Sequence, residues 1–329
     1  MISLVSVAVE RWPVAGAFNI SRGSKRHVDV VVCSVSDGRH TGHGEATAIY
    51  YHGETAERCA DAIRLYCEAE HPGGLSRTAI QRDMPKGAAR NALDCALWDL
   101  EAKRAGVPVW QLAGVEPPRP LSTAFTISMN SPADMERDAQ AAVRRGFSLL
   151  KCKLGGAGDL DRVAAVRQGA PDARLIVDAN ESWPFEAVLN LAGRLAEMGV
   201  EMVEQPLPRG QESALIGLNA PVPFCADESC QDSLDIAILT GFDVINIKLD
   251  KAGGLTEGLA LRDEAIKAGQ KLMIGCMLCT SLAIAPAFLL AQQADWVDLD
   301  GALLLERDRD DPLRLEGGML HPSSLWGMP

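Results

Sequence analysis

Hydrophobic and polar positions alternate with a two-residue period along SLVSVAVERW and HVDVVVCSVS, the pattern of strands with one buried face. Between residues 86 and 105 the period lengthens. The apolar positions of KGAARNALDCALWDLEAKRA recur at helical spacing, so residues 1–117 read as a small α+β domain. Pro117, Pro118 and Pro120 then interrupt the chain. Beyond them short apolar runs alternate with amphipathic stretches: STAFTIS, SLLKCKL, ARLIVDA, VEMVEQP, PFCADES, DVINIKL, KLMIGCM and DWVDLD. Each of the first seven is followed by a helical pattern, which predicts an α/β fold, a (β/α)7β TIM-like barrel over residues 118–301. Too little chain follows Asp298 for an eighth full helix, so the tail, about 302–329, is expected to pack back on the N-terminal capping domain.

Composition narrows the function classes. No apolar run reaches the roughly 18 residues that span a bilayer, and the N-terminus lacks a basic start followed by an apolar block, so no membrane partner and a cytoplasmic location are expected. Nine cysteines at irregular spacing make no disulfide framework, and Cys276-Met-Leu-Cys279 has no second pair or nearby His to complete a zinc site. A formal charge of −12 without a long basic run argues against nucleic acid.

In a parallel barrel the C-terminal strand ends converge on one face. Here those ends are polar: Lys151 and Lys153 on the second strand, Asp178 on the third, Glu204 on the fourth, Asp227 on the fifth, Lys248 on the sixth, and Asp298 with Asp300 on the eighth. Each alone could be an exposed charge where a strand meets a loop; it is the repetition at one end that points to a site. Three convergent carboxylates repel one another unless a hard divalent cation lies among them. Asp178, Glu204 and Asp227, with no His or Cys, suit Mg²⁺, and Mn²⁺ fits the same donors. Strands two and six face each other across an eight-stranded barrel, so Lys153 and Lys248 suit a two-base proton transfer. A second lysine and a cation nearby drive an amine toward its neutral, proton-abstracting form, and Lys151 is the candidate neighbour. Alternation puts Lys151 and Lys153 on one strand face and Cys152 on the other. A proton beside a carboxylate is weakly acidic, and its removal to an enolate calls for the Lewis acidity of a bound metal.

K-x-K (Lys151, Lys153), DAN (178–180), VEQP (203–206), ADES (226–229) and NIKLDKAGG (246–254) resemble, in order, the motifs of the enolase superfamily and its muconate-cycloisomerase-like subgroup. The resemblance runs over essentially the whole chain. It implies Mg²⁺ on Asp178, Glu204 and Asp227 and an acid/base pair in Lys153 and Lys248, with Lys251 as rival for the second base. The pair Asp298-x-Asp300 resembles the mark of the subgroup's dipeptide epimerases, where it would meet the substrate's α-ammonium. GAARNALDCALWDL, GCMLCTS and DLDG bring the likeness closest to bacterial epimerases of Ala-Glu from murein peptide. By resemblance Arg22, in a cap loop, would pair with the glutamate carboxylate, with Lys25 and Arg26 as rivals. Thr126 and the stretch Cys276, Met277 and Leu278 would line the remaining wall. The expected substrate is thus a small dipeptide whose C-terminal residue is inverted at its α-carbon. Self-association, common in the family, is compatible with the sequence.

Three rivals remain. N-acyl amino acid racemases, o-succinylbenzoate synthases and cycloisomerases share the metal and lysines but offer no ammonium to Asp298 and Asp300. Acid-sugar dehydratases resembling mandelate racemase place a His where this chain has Gly275-Cys276. A catalytically silent barrel would have lost a ligand or base, and none is lost.

Overall fold

A computed structural model describes residues 2–20, 23–71 and 73–329. Three antiparallel strands, β1 (Ser3–Ile20), β2 (Gly23–Ser36) and β3 (Thr41–Thr47), form the N-terminal sheet. Helices α1 (Ala56–Glu68) and α3 (Ala88–Ala105) cover it, burying Val31, Cys33 and Val35 against Leu93, Leu97 and Leu100, and α2 (Arg77–Asp83) packs on α3. Gly44 permits the close approach of β3 to α3: a Cβ there would lie 2.0 Å from the Ala92 carbonyl oxygen. A short helix α4 (Val109–Leu112) and a two-residue strand β4 (Leu121–Ser122) lead to the barrel.

The barrel strands are β5 (Phe125–Ile127), β6 (Leu149–Lys153), β7 (Arg174–Asp178), β8 (Val200–Glu204), β9 (Phe224–Ala226), β10 (Val244–Ile247), β11 (Lys271–Gly275) and β12 (Trp296–Asp298). They pair in parallel and in sequence order, and the Ala124 amide donates to the Val297 carbonyl across the remaining gap. All eight candidate strands of the sequence are present. Helices follow five of them: α5 (Pro132–Arg144), α6 (Asp159–Gly169), α7 (Val188–Glu197), then α8 (Leu249–Ala252) with α9 (Leu255–Lys267), and α10 (Ser281–Leu290). The expectation of a helix after each of the first seven strands needs correction. Behind β8 and β9 only the 3₁₀ turns Glu212–Leu215 and Ser233–Ala237 are found among the described residues. Pro206, Pro208, Gly210, Gly217 and Pro221 break the first segment, and the second is too short for more than one capped turn.

Alternation builds the barrel interior in layers. Ala124, Leu149, Ile176, Met202, Cys225, Val244, Met273 and Trp296, one from each strand line, form a buried apolar plug. Two residues further along each strand, and so on the same face, stand Thr126, Lys151, Asp178, Glu204, Asp227, Asn246, Gly275 and Asp298. The layer above the plug is therefore almost wholly polar. Cys152, one residue out of phase, packs outward in the main core.

The tail, with β13 (Arg314–Glu316) and β14 (Met319–His321), pairs with β4, while the Trp326 indole donates to the Cys95 carbonyl in α3.

Candidate active site

Lateral register places the charged layer. Lys153 is the pairing partner of Asp178, and Asp178 of Glu204, on successive strands. Asp227 and Lys248 follow β9 and β10 directly. Each of Asp178, Glu204 and Asp227 is at most 2% exposed, and one oxygen from each lies within 4.8 Å of the others. Three lysines meet them. Nζ of Lys153 donates to Asp178 Oδ2 at 2.6 Å, and Nζ of Lys248 to Asp227 Oδ2 at 2.6 Å. Lys151 lies 2.5 Å from Glu204 Oε2, 2.8 Å from Asp298 Oδ2 and 3.4 Å from Asp178 Oδ2. The same register pairs Thr126 with Lys151 and Gly275 with Asp298.

Burial pushes all three carboxyls up, and their neighbours decide the outcome. Lys248, Lys251 and Lys151 hold Asp227 well below the usual range, and Lys153 and Lys151 hold Asp178 below it. Glu204, burdened by burial and then by Asp178, goes up to about 8 despite Lys151. The lysines attach a condition to one expectation from the sequence. Burial works against their charge, but Asp298, Glu204 and Asp178 hold Lys151 protonated, and Asp227 and Glu204 do the same for Lys248. The acids outweigh the neighbouring amines. A neutral Lys248 therefore requires that the acids' negative charge be met by something else, and a divalent cation on the triad does that.

The residues fit such an ion. Glu204 Oε2 is buried, ion-paired to Lys151 but without an aligned hydrogen bond, and the set offers only hard oxygen donors. Asn180 and Gln205, immediately beyond the triad acids, hold φ of 44° and 38°, a backbone conformation that side chains rarely adopt and that clusters at functional sites. The Asn180 amide donates to Asp178 Oδ1, and Gln205 Oε1 accepts from the Asp227 amide.

At the eighth strand the balance differs. Asp298 Oδ2 accepts from Lys151, but its Oδ1 is buried without a partner. Asp300 Oδ2 accepts from the Thr126 amide, and burial together with Asp298 pushes Asp300 up to about 7. Both acids line the same cavity as Lys151, Lys153 and Lys248. Thr126, Cys276, Met277 and Leu278 line it too. Arg22 lies outside the described residues. Lys25 is described and stands at the cavity's cap side with Phe18, Tyr50 and Tyr51; its Nζ lies 4.5 Å from the Tyr50 ring centre, and burial lowers its pKa.

Lys251, the rival base, does not line the cavity. Its Nζ donates to the Asp227 carbonyl, to Asp227 Oδ1 at 2.6 Å and to the Asn246 carbonyl at 3.2 Å. All three of its protons are engaged. Gly275 explains why no His stands at the seventh strand end: a Cβ would lie 2.7 Å from Asn246 Oδ1 and 3.0 Å from Lys248 Cε.

Family models match both halves of the chain: "Mandelate racemase / muconate lactonizing enzyme, N-terminal domain" over residues 2–114 and "Enolase C-terminal domain-like" over 134–328. The chain belongs to the enolase superfamily. It is 43% identical to the L-Ala-D/L-Glu epimerase of Escherichia coli K12, over 96% of this chain and 99% of that one. It is 38% identical to an N-acetyl-D-glutamate racemase of Pseudoalteromonas, over 91% and 95%. Among solved structures, an enolase family member from Agrobacterium tumefaciens with homology to dipeptide epimerases, holding sodium and L-Ala-L-Glu with an ordered loop, superposes with a TM-score of 0.95. Its identity is 44%, and the match covers 99% of this chain and 100% of that one.

Sequence reasoning missed the groups that hold this superfamily site in place. Asn246 Nδ2 donates to Glu204 Oε1 at 2.8 Å. From the cap, Thr47 Oγ1 donates to the Leu278 carbonyl, and Glu45 accepts from the Thr280 amide, so β3 braces the loop that forms the cavity wall. Asn246 carried a signal, being in phase with Lys248 on one strand. Glu45 and Thr47 carried none, since their partners lie more than 230 residues away.

Proposed function

We propose that this protein is a Mg²⁺-dependent isomerase that inverts the α-carbon of the C-terminal residue of Ala-Glu dipeptides. The observation that carries this reading is the joining, in one cavity, of two lysines on opposite strands with an acid pair that has an unpartnered buried oxygen. Asp178, Glu204 and Asp227 would hold the metal, and Mg²⁺ bound there would supply Lewis-acid stabilisation for the charge that develops on the substrate carboxylate. Lys153 and Lys248 approach the α-carbon from opposite faces. One takes the proton as a neutral amine while the other, as an ammonium, returns one. Lys151 neutralises charge between Glu204 and Asp298. Asp298 and Asp300 receive the α-ammonium, whose charge their buried carboxylates lack. Arg22 takes the distal carboxylate of the glutamate side chain by two parallel hydrogen bonds.

The division near residue 117, with the tail from about 302 lying against the N-terminal domain, is our reading of the domain organisation. Support comes from Arg309, which donates to Glu10 and Glu45, and from Trp326 against α3. Nine free cysteines suit a reducing cytoplasm, and no described helix is long and apolar enough to cross a membrane.

The test is proton NMR in deuterated water with Mg²⁺, following the glutamate α-proton of L-Ala-L-Glu and L-Ala-D-Glu beside N-acetylglutamate. We expect exchange with inversion of the dipeptides and much slower reaction of the N-acetyl compound. Faster turnover of N-acetylglutamate would transfer the chain to the racemase reading.

A further inference from the structure

The six oxygens of the triad are not equivalent. Asp178 Oδ1 is taken by the Asn180 backbone amide at 2.9 Å, Glu204 Oε1 by the Asn246 side-chain amide at 2.8 Å, and Asp227 Oδ1 by the Lys251 ammonium at 2.6 Å. The oxygens left over, Asp178 Oδ2, Glu204 Oε2 and Asp227 Oδ2, are the three that face the cavity lysines. One fixed N–H donor per acid thus divides each carboxylate into a held oxygen and an offered one. Asn246 and Lys251 are at most 2% exposed, and Lys251 is tied at three points, so neither donor can swing away without leaving buried groups unpaired.

We infer that Asn246 and Lys251 are positioning residues that restrict Glu204 and Asp227 to offering one oxygen each, and that this restriction gives the site its preference for Mg²⁺ over Ca²⁺. The inference rests on the metal reading above. Ca²⁺ takes six to eight oxygens and often both oxygens of a carboxylate, whereas Mg²⁺ keeps several waters in a strict octahedron and takes few protein oxygens, each in a fixed position. A triad with three of its six oxygens already held meets the second demand and not the first. The held oxygens also keep the acids from turning toward one another.

The test uses the full chain and reads binding rather than turnover. Mn²⁺ binding is followed by calorimetry and by its electron paramagnetic resonance spectrum. Mg²⁺ and Ca²⁺ are then titrated as competitors against wild type, Asn246→Leu and Lys251→Met, with circular dichroism in EDTA as a check on folding. The ratio of Mg²⁺ to Ca²⁺ affinity is the decisive quantity, because losing the Lys251 charge acts alike on two ions of equal charge. We expect wild type to prefer Mg²⁺ and the ratio to fall about tenfold in each variant. An unchanged ratio in a folded variant, or a wild type that binds Ca²⁺ as well as Mg²⁺, would overturn the inference while leaving the metal reading intact. A wild type that binds no divalent ion overturns both. Should Lys251→Met not fold, Asn246→Leu and the wild-type ratio still decide.

Discussion

Two groups of buried acids meet at Lys151, and they are finished differently. At the triad three carboxylates face three lysines, and each acid has one oxygen held by an N–H donor. At the eighth strand Asp298 meets the Lys151 ammonium while Asp300 accepts only from the Thr126 backbone, and Asp298 Oδ1 has no hydrogen-bond partner. Carboxylates at similar depth are therefore placed in different surroundings. The first set is arranged in advance around a point where a small ion can sit. The second is left short of positive charge, a shortfall that the substrate ammonium of the proposed function would correct. The contrast explains how a fold shared by many reactions can keep its metal chemistry and still select a substrate at one strand end.

The largest effects are expected where the triad meets the lysines. Lys153→Met and Lys248→Met should each slow inversion by about a thousandfold, within the range that a positioned acid or base contributes. If, as proposed, the two amines serve opposite faces, each variant should still exchange the α-proton of one epimer for deuterium and not of the other. Proton NMR with the two epimers separately gives the answer, and equal loss of exchange for both epimers in either variant would break the two-face assignment. Next comes the metal. Saturating Mg²⁺, at about a hundred times its dissociation constant, should add about 2.7 kcal/mol to stability, lost again in EDTA. Urea unfolding of wild type and Asp300→Asn should show the same increment, since the second group takes no part in holding the ion. A smaller effect belongs to Asp300 itself. In Asp300→Asn the amide oxygen can keep the Thr126 bond while the charge goes, so kcat/KM for Ala-Glu should fall about ten- to a hundredfold, mainly through KM. N-acetylated substrate should be hardly affected, and an equal loss for both would remove the ammonium from the argument.

What the sequence made legible follows from the two-residue period of a strand. Once the strand ends were placed, Lys151, Lys153, Asp178, Glu204, Asp227, Lys248 and Asp298 fell on the inner face by counting. The same count reached Asn246, yet nothing local said that its amide would hold Glu204. Lys251 shows the limit more sharply. Three residues beyond Lys248 it looked like a rival base, and only the turn of α8 after β10 reveals that its ammonium points behind Asp227. The bracing of the cavity wall by Glu45 and Thr47 depends on packing between distant segments, which periodicity does not encode. Helices behind β8 and β9 failed to appear because proline, glycine and short length overrode a weak apolar pattern. How strongly the acids favour a protonated Lys151 was illegible for a similar reason: amines were counted along one strand, while the acids came from four others.

A raised carboxyl alone does not mark the substrate end, and Asp250 tests that distinction. Burial pushes Asp250 up to about 7, the same value that Asp300 reaches, yet Asp250 lies between cap and barrel, accepting from the Thr47 amide and the Asn91 side chain, and does not line the cavity. Its folded pKa lies above its unfolded one, so the folded state binds the proton more tightly. The stability this contributes is complete below pH of about 4 and is lost as pH rises through about 7. Both donors go to Oδ1, so Asp250→Asn can keep both bonds with its amide oxygen. Urea unfolding in EDTA at pH 5 and pH 8 should therefore show wild type losing more stability over this interval than the variant. Turnover at pH 8 should stay near that of wild type, the smallest change among these substitutions. A variant whose stability falls as steeply as that of wild type would mean that Asp250 is ionised in the folded protein throughout, and would leave Asp300 as the more unusual of the two acids.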